Sequence, residues 1–449
     1  MTILDELTGA LTDPDLLETY RRDEADLCAA GAPLAVVRPK SADEVVRAVK
    51  WAARHGVPVV PQGARTGLAG GANAVDGCLV VSMTGMDRIV EIDRPNRIAV
   101  VQPGVVNAVL SRAVAAQGLR YPPDPGSWET STIGGNVATN AGGMCCVKFG
   151  VTAEYVLGLE VVLADGRVLR TGRRTAKGVA GYDLTRLFVG SEGTLGIITE
   201  ITVALRPLGE EPLTLVAVFP STAAAGDAVN RIFSAGLAPS LLELIDQVHL
   251  KAIEGYRPMG LDTSAKALLL AAADGDLEPI AAAAREAGAT DVWLATDPVE
   301  ATELLQSRRV AHPAMERLAT DLHEHGGLII DDIAVPRTRL AELLDEIERI
   351  ALKHGVTVGV VGHAGDGNLH PNIVVDRADP ASVHKGQLVF DEIMQRGLAM
   401  GGTCTGEHGV GLLKRDWLAA EAGPVGIDVQ RAIKQALDPG NLFNPGKVL

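Results

Sequence analysis

Two short stretches near the C-terminal end concentrate the side chains that do chemistry. HAGDGNLHPN runs from His363 to Asn372, and GEHGVG runs from Gly406 to Gly411. His363 and His370 stand seven residues apart with a GDG turn between them. A tight turn there folds the segment back, so that both imidazoles face one point. Glu407 and His408 come from a separate loop. Two histidines and a carboxylate form a ligand set for a divalent ion that keeps open positions. A hydrogen-bonded polar turn without metal explains the spacing equally well. His323 and His325, in LHEHGG, read as a solvated turn.

Glycine carries the second signal. The chain has 50 glycines, and three clusters stand out. PQGARTGLAGGA, residues 61–72, follows a short apolar run and lets backbone N–H groups converge into an anion nest. No GK[ST] follows it, so it is not a P-loop, and no G-x-G-x-x-G opens a helix, so the Rossmann fingerprint of a nicotinamide enzyme, a third possibility, is missing. YPPDPGSWETSTIGGNVATNAGG, from Tyr121 to Gly143, sets Asn136, Thr139 and Asn140 between two glycine pairs. Its small, neutral side chains suit a flat polar heterocycle lying against backbone. GSEGTLGII, from Gly190 to Ile198, adds further close-approach positions.

In this order, PQGARTGLAGG, PPDP, STIGGNVATNAGG, KFG, DLTRLFVGSEGTLGIITE, HAGDGNLH, GEHGVG and NPGKV resemble the FAD-linked oxidases and dehydrogenases of the vanillyl-alcohol-oxidase type. Within that group the chain resembles the branch of glycolate oxidase catalytic subunits, D-lactate dehydrogenases and D-2-hydroxyglutarate dehydrogenases. The resemblance runs from about Arg38 to the C-terminus. It implies a two-part FAD domain in the first half, completed by the C-terminal tail, and a substrate (cap) domain. Pro61, Gly63, Ala64, Arg65, Thr66 and Gly67 would hold the pyrophosphate. Pro122, Gly126, Ser127, Gly134, Gly135, Asn136, Thr139, Asn140 and Ala141 would line the flavin and the rest of the cofactor. Gly193, Gly196 and Ile198 would sit against adenine or ribose, and Asn444 would reach the flavin from the tail. Neither 61–72 nor 121–150 contains a histidine, so non-covalent FAD is expected.

The same resemblance gives the histidine cluster a purpose. It implies a zinc or manganese ion on His363, His370 and Glu407. Oxidation of a 2-hydroxy acid sends a hydride to flavin N5 while the hydroxyl proton leaves. A histidine of near-neutral pKa is the natural base. His408 takes that role here, because it adjoins Glu407 but is spare as a ligand. In LLQSRRVAHPAMERL, Arg308 matches the family's carboxylate-clamping arginine, and Asn372 matches a substrate-contacting asparagine. The D-2-hydroxyglutarate branch has a lysine where this chain has Ile330, in IIDDIAVPR. That departure points to glycolate or D-lactate, with D-2-hydroxyglutarate or another D-2-hydroxy acid as the alternative. A non-catalytic flavin subunit of an electron-transfer complex is the rival from another class.

These residues need a scaffold, and composition bounds it. The chain has 449 residues, 47% of them hydrophobic, which suits two or three domains. A net charge of −15 without a basic patch excludes nucleic acid as partner. Five cysteines show no framework spacing, the N-terminus lacks a signal peptide, and no run reaches the ~18–20 apolar residues of a membrane span. A cytoplasmic protein, peripheral at most at the inner face of the membrane, is expected. The electron acceptor (quinone, cytochrome, electron-transfer protein or oxygen) and a homodimer are left open.

The pattern predicts an α+β chain. The first 30 or so residues read as helical, and Ser41 and Gly56 bracket a capped helix. VPVVP, LVVSM, RIVEI and RIAVVQPG read as strands, NAVLSRAVAAQG as a helix, and VLGLEVVLADGRVLRTG as a hairpin turning at Asp165-Gly166. PLGEEPLTL, 207–215, reads as a boundary. The domains expected are an FAD domain at 1–208, a cap at 209–401 with an antiparallel sheet backed by helices, and a segment at 402–449 returning to the FAD domain. That last segment is expected to hold only a short helix.

Overall fold

The capped helix predicted after Ser41 spans Ala42–His55. Ser41 Oγ accepts from the Glu44 N–H at 3.4 Å, while the Glu44 carboxylate accepts from the Lys40 N–H at 2.8 Å. Gly56 ends the helix at φ 64°, a left-handed position that glycine adopts without strain. Val45, Ala48, Val49 and Ala52 repeat at helical spacing and form its buried face. They pack on a three-stranded parallel sheet of Ala35–Val37, Leu79–Ser82 and Val59–Gln62.

The computed structural model describes residues 6–449 apart from 8, 26, 210, 211, 296 and 297, and leaves aside the side chains of 298, 299 and 301–303. The chain forms two compact units. The first comprises Met1–Gly142, Gly150–Leu208 and Glu407–Leu449; the second comprises Gly143–Phe149 and Gly209–Gly406. Residues 210 and 211 of the expected boundary lie outside the described residues.

In the first unit a five-stranded antiparallel sheet runs Ile89–Asp93, Ile98–Val101, Ile197–Ala204, Val156–Val162, Val168–Gly172. The tail returns to the parallel sheet. Val59 N–H donates to Leu442 O and Asn444 N–H to Val59 O, both at 2.8 Å, and Phe443 is fully buried.

Two local expectations fail. Among the described residues near the N-terminus, only Pro14–Glu18 forms an α-helix. Residues 21–25 and 27–31 instead line the glycine loop and the residues after it: Glu24 N–H donates to Gly67 O, Asp23 N–H to Asn73 Oδ1, and Gly31 N–H to Ala74 O. Tertiary hydrogen bonds override a weak helical pattern. The C-terminal helix is also long rather than short, spanning Arg415–Leu437 with a break at Gly423 (φ 66°, ψ 172°) before Pro424. Proline cannot donate to the preceding turn, so two helical runs meet there at a kink.

The second unit is built on an antiparallel sheet. Its strand order is Asp291–Leu294, Leu213–Phe219, Ala267–Ala273, Leu241–Asp246, Val358–His363, Asn368–Asp376, Gly326–Ile330. Helices Gln247–Tyr256 and Ala311–Leu322 cover one face through Leu250, Ile253, Ala314, Met315 and Ala319. Helix Pro380–Ala399 covers the other, where a Cβ on Gly386 would come within 2.4 Å of Val375 Cγ1. No helix among the described residues is long and apolar enough to cross a membrane.

Candidate functional site

The three glycine clusters meet in the first unit. A Cβ on Gly63 would stand 2.5 Å from Thr132 Oγ1, and one on Gly193 would stand 2.5 Å from Pro61 Cγ. The backbone ties these loops together: Glu192 N–H donates to Ala138 O at 2.8 Å and Gly190 N–H to Val137 O at 2.9 Å. STIGGNVATN folds as a short helix, Ile133–Thr139, with Thr132 Oγ1 accepting from Gly135 N–H at 3.2 Å. Gly134 packs on Pro103, so protein neighbours alone already forbid a side chain there. Thr139 Oγ1 turns back to Gly135 O, and Asn140 Oδ1 accepts from Ala153 N–H. Arg65 lies over the Tyr20 ring, 4.9 Å from its centroid.

Pro122 and Ala141 are buried, Ser127 is half-buried and Gly126 is exposed. Gly196 leaves room for Val161, and Ile198 is half-buried on its strand. Ser131 Oγ and Asn136 Nδ2 are buried and make no hydrogen bond within the protein. Leaving such groups unpaired costs roughly 1–3 kcal/mol each. A ligand with both acceptors and donors relieves that cost, so these residues fit a flavin nucleotide.

Asn444 ties the tail to two of the glycine loops. Its side-chain amide donates to Gly71 O at 2.9 Å and to Glu192 O at 2.8 Å, and its Oδ1 accepts from Lys447 Nζ. Both donors are therefore used in clasping two glycine loops to the tail. Lys447 Nζ also donates to the carbonyls of Gly71 and Asn73.

Glu192 extends the same clasp to the GEHGVG loop. Its carboxylate accepts from Val410 N–H at 2.7 Å and Gly411 N–H at 2.9 Å. Burial pushes this carboxyl up to about 7, against the lowering pull of those two N–H groups and of Lys414 and Lys447. Burial likewise pulls Lys447 down to about 8. A carboxyl whose pKa rises on folding adds stability that is complete below its ordinary value of 4.5 and lost as pH rises through about 7. Glu192→Gln abolishes that titration. The melting temperature of the variant minus that of wild type should therefore increase between pH 5 and pH 8, as read by thermal melts. A difference that does not change with pH would contradict the assignment.

In the second unit the hairpin register decides which side chains meet. Val361 pairs with His370, His363 with Asn368 and Gly359 with Asn372. Side chains alternate between faces, so these six residues share one face. The turn predicted from GDG is a 3-10 turn, Ala364–Asp366, closed by Gly367 at φ 75°. His363 and His370 are diagonal neighbours with ring centroids 5.1 Å apart and planes at 83°. Both are buried, as is Asn372, whose amide donates to His370 O at 2.8 Å. Ile330 stands directly opposite Asn372 on the adjacent strand, giving this face an apolar wall.

Helix Pro298–Arg309 brings Arg308 to the same face. Arg308 Nε donates to Glu243 Oε2 at 2.7 Å, whereas Arg309 is exposed. His323 and His325 lie in the turn after helix Ala311–Leu322, with His325 exposed.

Three residues here escaped the sequence reading. Glu243 accepts from His363 Nδ1 at 2.7 Å and from Arg308. Asp332 lies 3.5 Å from His370 Nδ1 and accepts from Asn368 Nδ2 and Thr405 Oγ1. Fully buried His249 pairs Nδ1 with Asp246 Oδ1 at 3.0 Å and fills the space that Gly359 leaves. The available signal was an acid inside an apolar strand, as in LLELID, which a soluble sheet tolerates only when that acid is partnered.

The second unit ends at Gly406, whose N–H donates to Asp332 O at 3.2 Å. Glu407 and His408 follow at once and open the last stretch of the first unit. His408 Nε2 lies 3.9 Å from Glu407 Oε1, and both side chains are largely shielded from solvent.

Glycine loops that fit a flavin nucleotide in one unit, and in the other a sheet face bearing histidines and an arginine, agree with the flavin-dependent oxidoreductase class that the family matches show. The fold agrees: 4-ethylphenol oxidase from Gulosibacter chungangensis superimposes with a TM-score of 0.79 at 21% identity, over 99% of this chain and 96% of that one. This is the vanillyl-alcohol-oxidase-type flavoprotein fold. Residues 33–172 match the FAD binding domain family and residues 210–448 match the family of FAD linked oxidases, C-terminal domain. The chain belongs to the FAD-linked oxidases. It is 45% identical over 423 residues to the glycolate oxidase subunit GlcD of Bacillus subtilis, covering 93% of this chain and 89% of that protein. It is 35% identical over 460 residues to a D-lactate dehydrogenase of Anaerostipes hadrus, covering 98% and 94%.

Proposed function

We propose that this enzyme oxidises a small 2-hydroxy acid, glycolate or D-lactate, to the 2-oxo acid. The names of its relatives support that substrate class. The observation that carries it is the gathering of Arg308, His363, His370 and Asn372 on one sheet face beside the apolar Ile330. Arg308 binds the carboxylate and Asn372 orients the hydroxyl-bearing carbon. Ile330 offers no cation to a second carboxylate, which disfavours D-2-hydroxyglutarate. His408 removes the hydroxyl proton.

His363, His370 and Glu407 are the proposed ligands of a divalent ion, zinc or manganese. The two imidazoles are adjacent and share a face. When bound, FAD supplies the two-electron acceptor and the ion a Lewis acid that acidifies the hydroxyl. The glycine loops at 61–67, 126–141 and 193–198 hold the FAD non-covalently. Electrons then pass to an acceptor that this chain does not contain, consistent with a relative named as a subunit.

The purified protein should be yellow, and acid should release free FAD. Anaerobic titration with glycolate, D-lactate, L-lactate and D-2-hydroxyglutarate tests the substrate. Bleaching by one of the first two is the expected result. Yellow protein that none of them bleaches would leave a non-catalytic flavin subunit. Colour retained by the precipitate would mean a covalent link.

A further inference from the structure

We infer that Glu243 is a positioning residue that sets the substrate-binding arginine and a metal-binding histidine with one carboxylate. Resting on the roles proposed for Arg308 and His363, it adds the device that holds them in register. Glu243 occupies the third position of the strand Leu241–Asp246, all six residues of which are buried. Ile245, two residues on, pairs with Val361, which places Glu243 on the histidine-bearing face. Its side chain is fully shielded from solvent. Oε1 lies 2.7 Å from His363 Nδ1 and Oε2 lies 2.7 Å from Arg308 Nε.

Each contact fixes an orientation that chemistry needs. A carboxylate at Nδ1 makes that nitrogen the N–H donor, so Nε2 carries the lone pair that can bind an ion. Engaging Arg308 at Nε fixes the guanidinium plane and leaves both Nη groups to grip an incoming carboxylate. The anionic Glu243 also balances a largely buried arginine, which would otherwise face a steep desolvation cost. Glutamine can fill the same volume, but its NH2 group replaces one of the two oxygens and would face a donor, His363 Nδ1–H or Arg308 Nε–H. Glu243 thus links recognition of the carboxylate to binding of the ion, although it touches neither.

The test uses FAD-loaded protein stripped of metal by chelation. Zinc or manganese affinity is measured by titration, and carboxylate affinity by the flavin absorbance change on adding oxamate to the metal-loaded protein. In Glu243→Gln, metal affinity should fall by roughly 10–100-fold, as is typical when the partner of a metal-binding histidine is removed. Oxamate affinity should fall as well. Arg308→Lys should then have a smaller effect in the Glu243→Gln background than in wild type, since a shared network is non-additive. Glu243→Asp keeps the charge on a shorter arm and should recover one affinity but not both. FAD content and melting temperature correct for misfolding. The inference fails if Glu243→Gln leaves both affinities within about twofold, if its losses simply track lost FAD, or if Glu243→Asp restores both. Wild-type protein that binds neither ion nor oxamate would overturn the underlying site assignment, and with it the role of Glu243.

Discussion

Alanine in place of His408 should slow flavin reduction by about 10²–10⁴-fold, the range for a lost general base, while FAD and metal remain bound. The loop's backbone has anchors of its own. Glu192 holds the Val410 and Gly411 N–H groups, and Leu412 N–H donates to Ala69 O at 2.8 Å. Deleting the ring therefore removes a proton acceptor and leaves the backbone in place. Stopped-flow reduction under anaerobic conditions, with metal analysis of the same sample, reads both quantities. The wild-type rate should fall as pH drops through the base's pKa, and the variant should lose that limb. His363→Ala behaves differently, since it should lower bound metal and rate together. Loss of metal in His408→Ala would make His408 a ligand and move the base elsewhere. Full turnover of wild type after exhaustive chelation would make the histidines direct hydrogen-bonding partners of the substrate.

Arg308→Lys should weaken substrate binding by about 1–3 kcal/mol, roughly 5–150-fold, while FAD content stays normal. Lysine keeps the charge but not the planar fork. An ammonium can meet Glu243 or the substrate carboxylate, but it cannot present two parallel N–H bonds to one while fixed by the other. The largely buried setting of the Arg308 side chain makes that geometry matter more than it would on the surface. The dissociation constant from anaerobic flavin bleaching measures it. An unchanged constant would shift carboxylate binding to another cation, with Arg309 a poor choice because it is exposed.

Much of the molecule was legible because its signals are local. The Ser41–Gly56 helix, the Asp165-Gly166 hairpin and the antiparallel second sheet follow from caps, turn chemistry and apolar patterning within one segment. The N-terminal segment misled for the converse reason. Its hydrogen-bond partners, Gly67, Asn73 and Ala74, lie more than 40 residues away. The length of the last helix was missed because Gly423-Pro424 reads as a stop, whereas the chain kinks and continues.

The sequence by itself determined the family, the glycine loops and the inventory of groups able to do chemistry, because glycine spacing and rare polar types are properties of the chain. Tertiary structure alone decided which of those groups meet. Strand register put His370 opposite Val361 and Asn372 opposite Ile330, and a one-residue slip would have turned both to the other face. It also brought Glu243, more than 60 residues from Arg308 and more than 100 from His363, to serve both with a single carboxylate. No pattern in sequence encodes that meeting, because it arises from the packing of a helix on a sheet whose strands are ordered by non-local pairing.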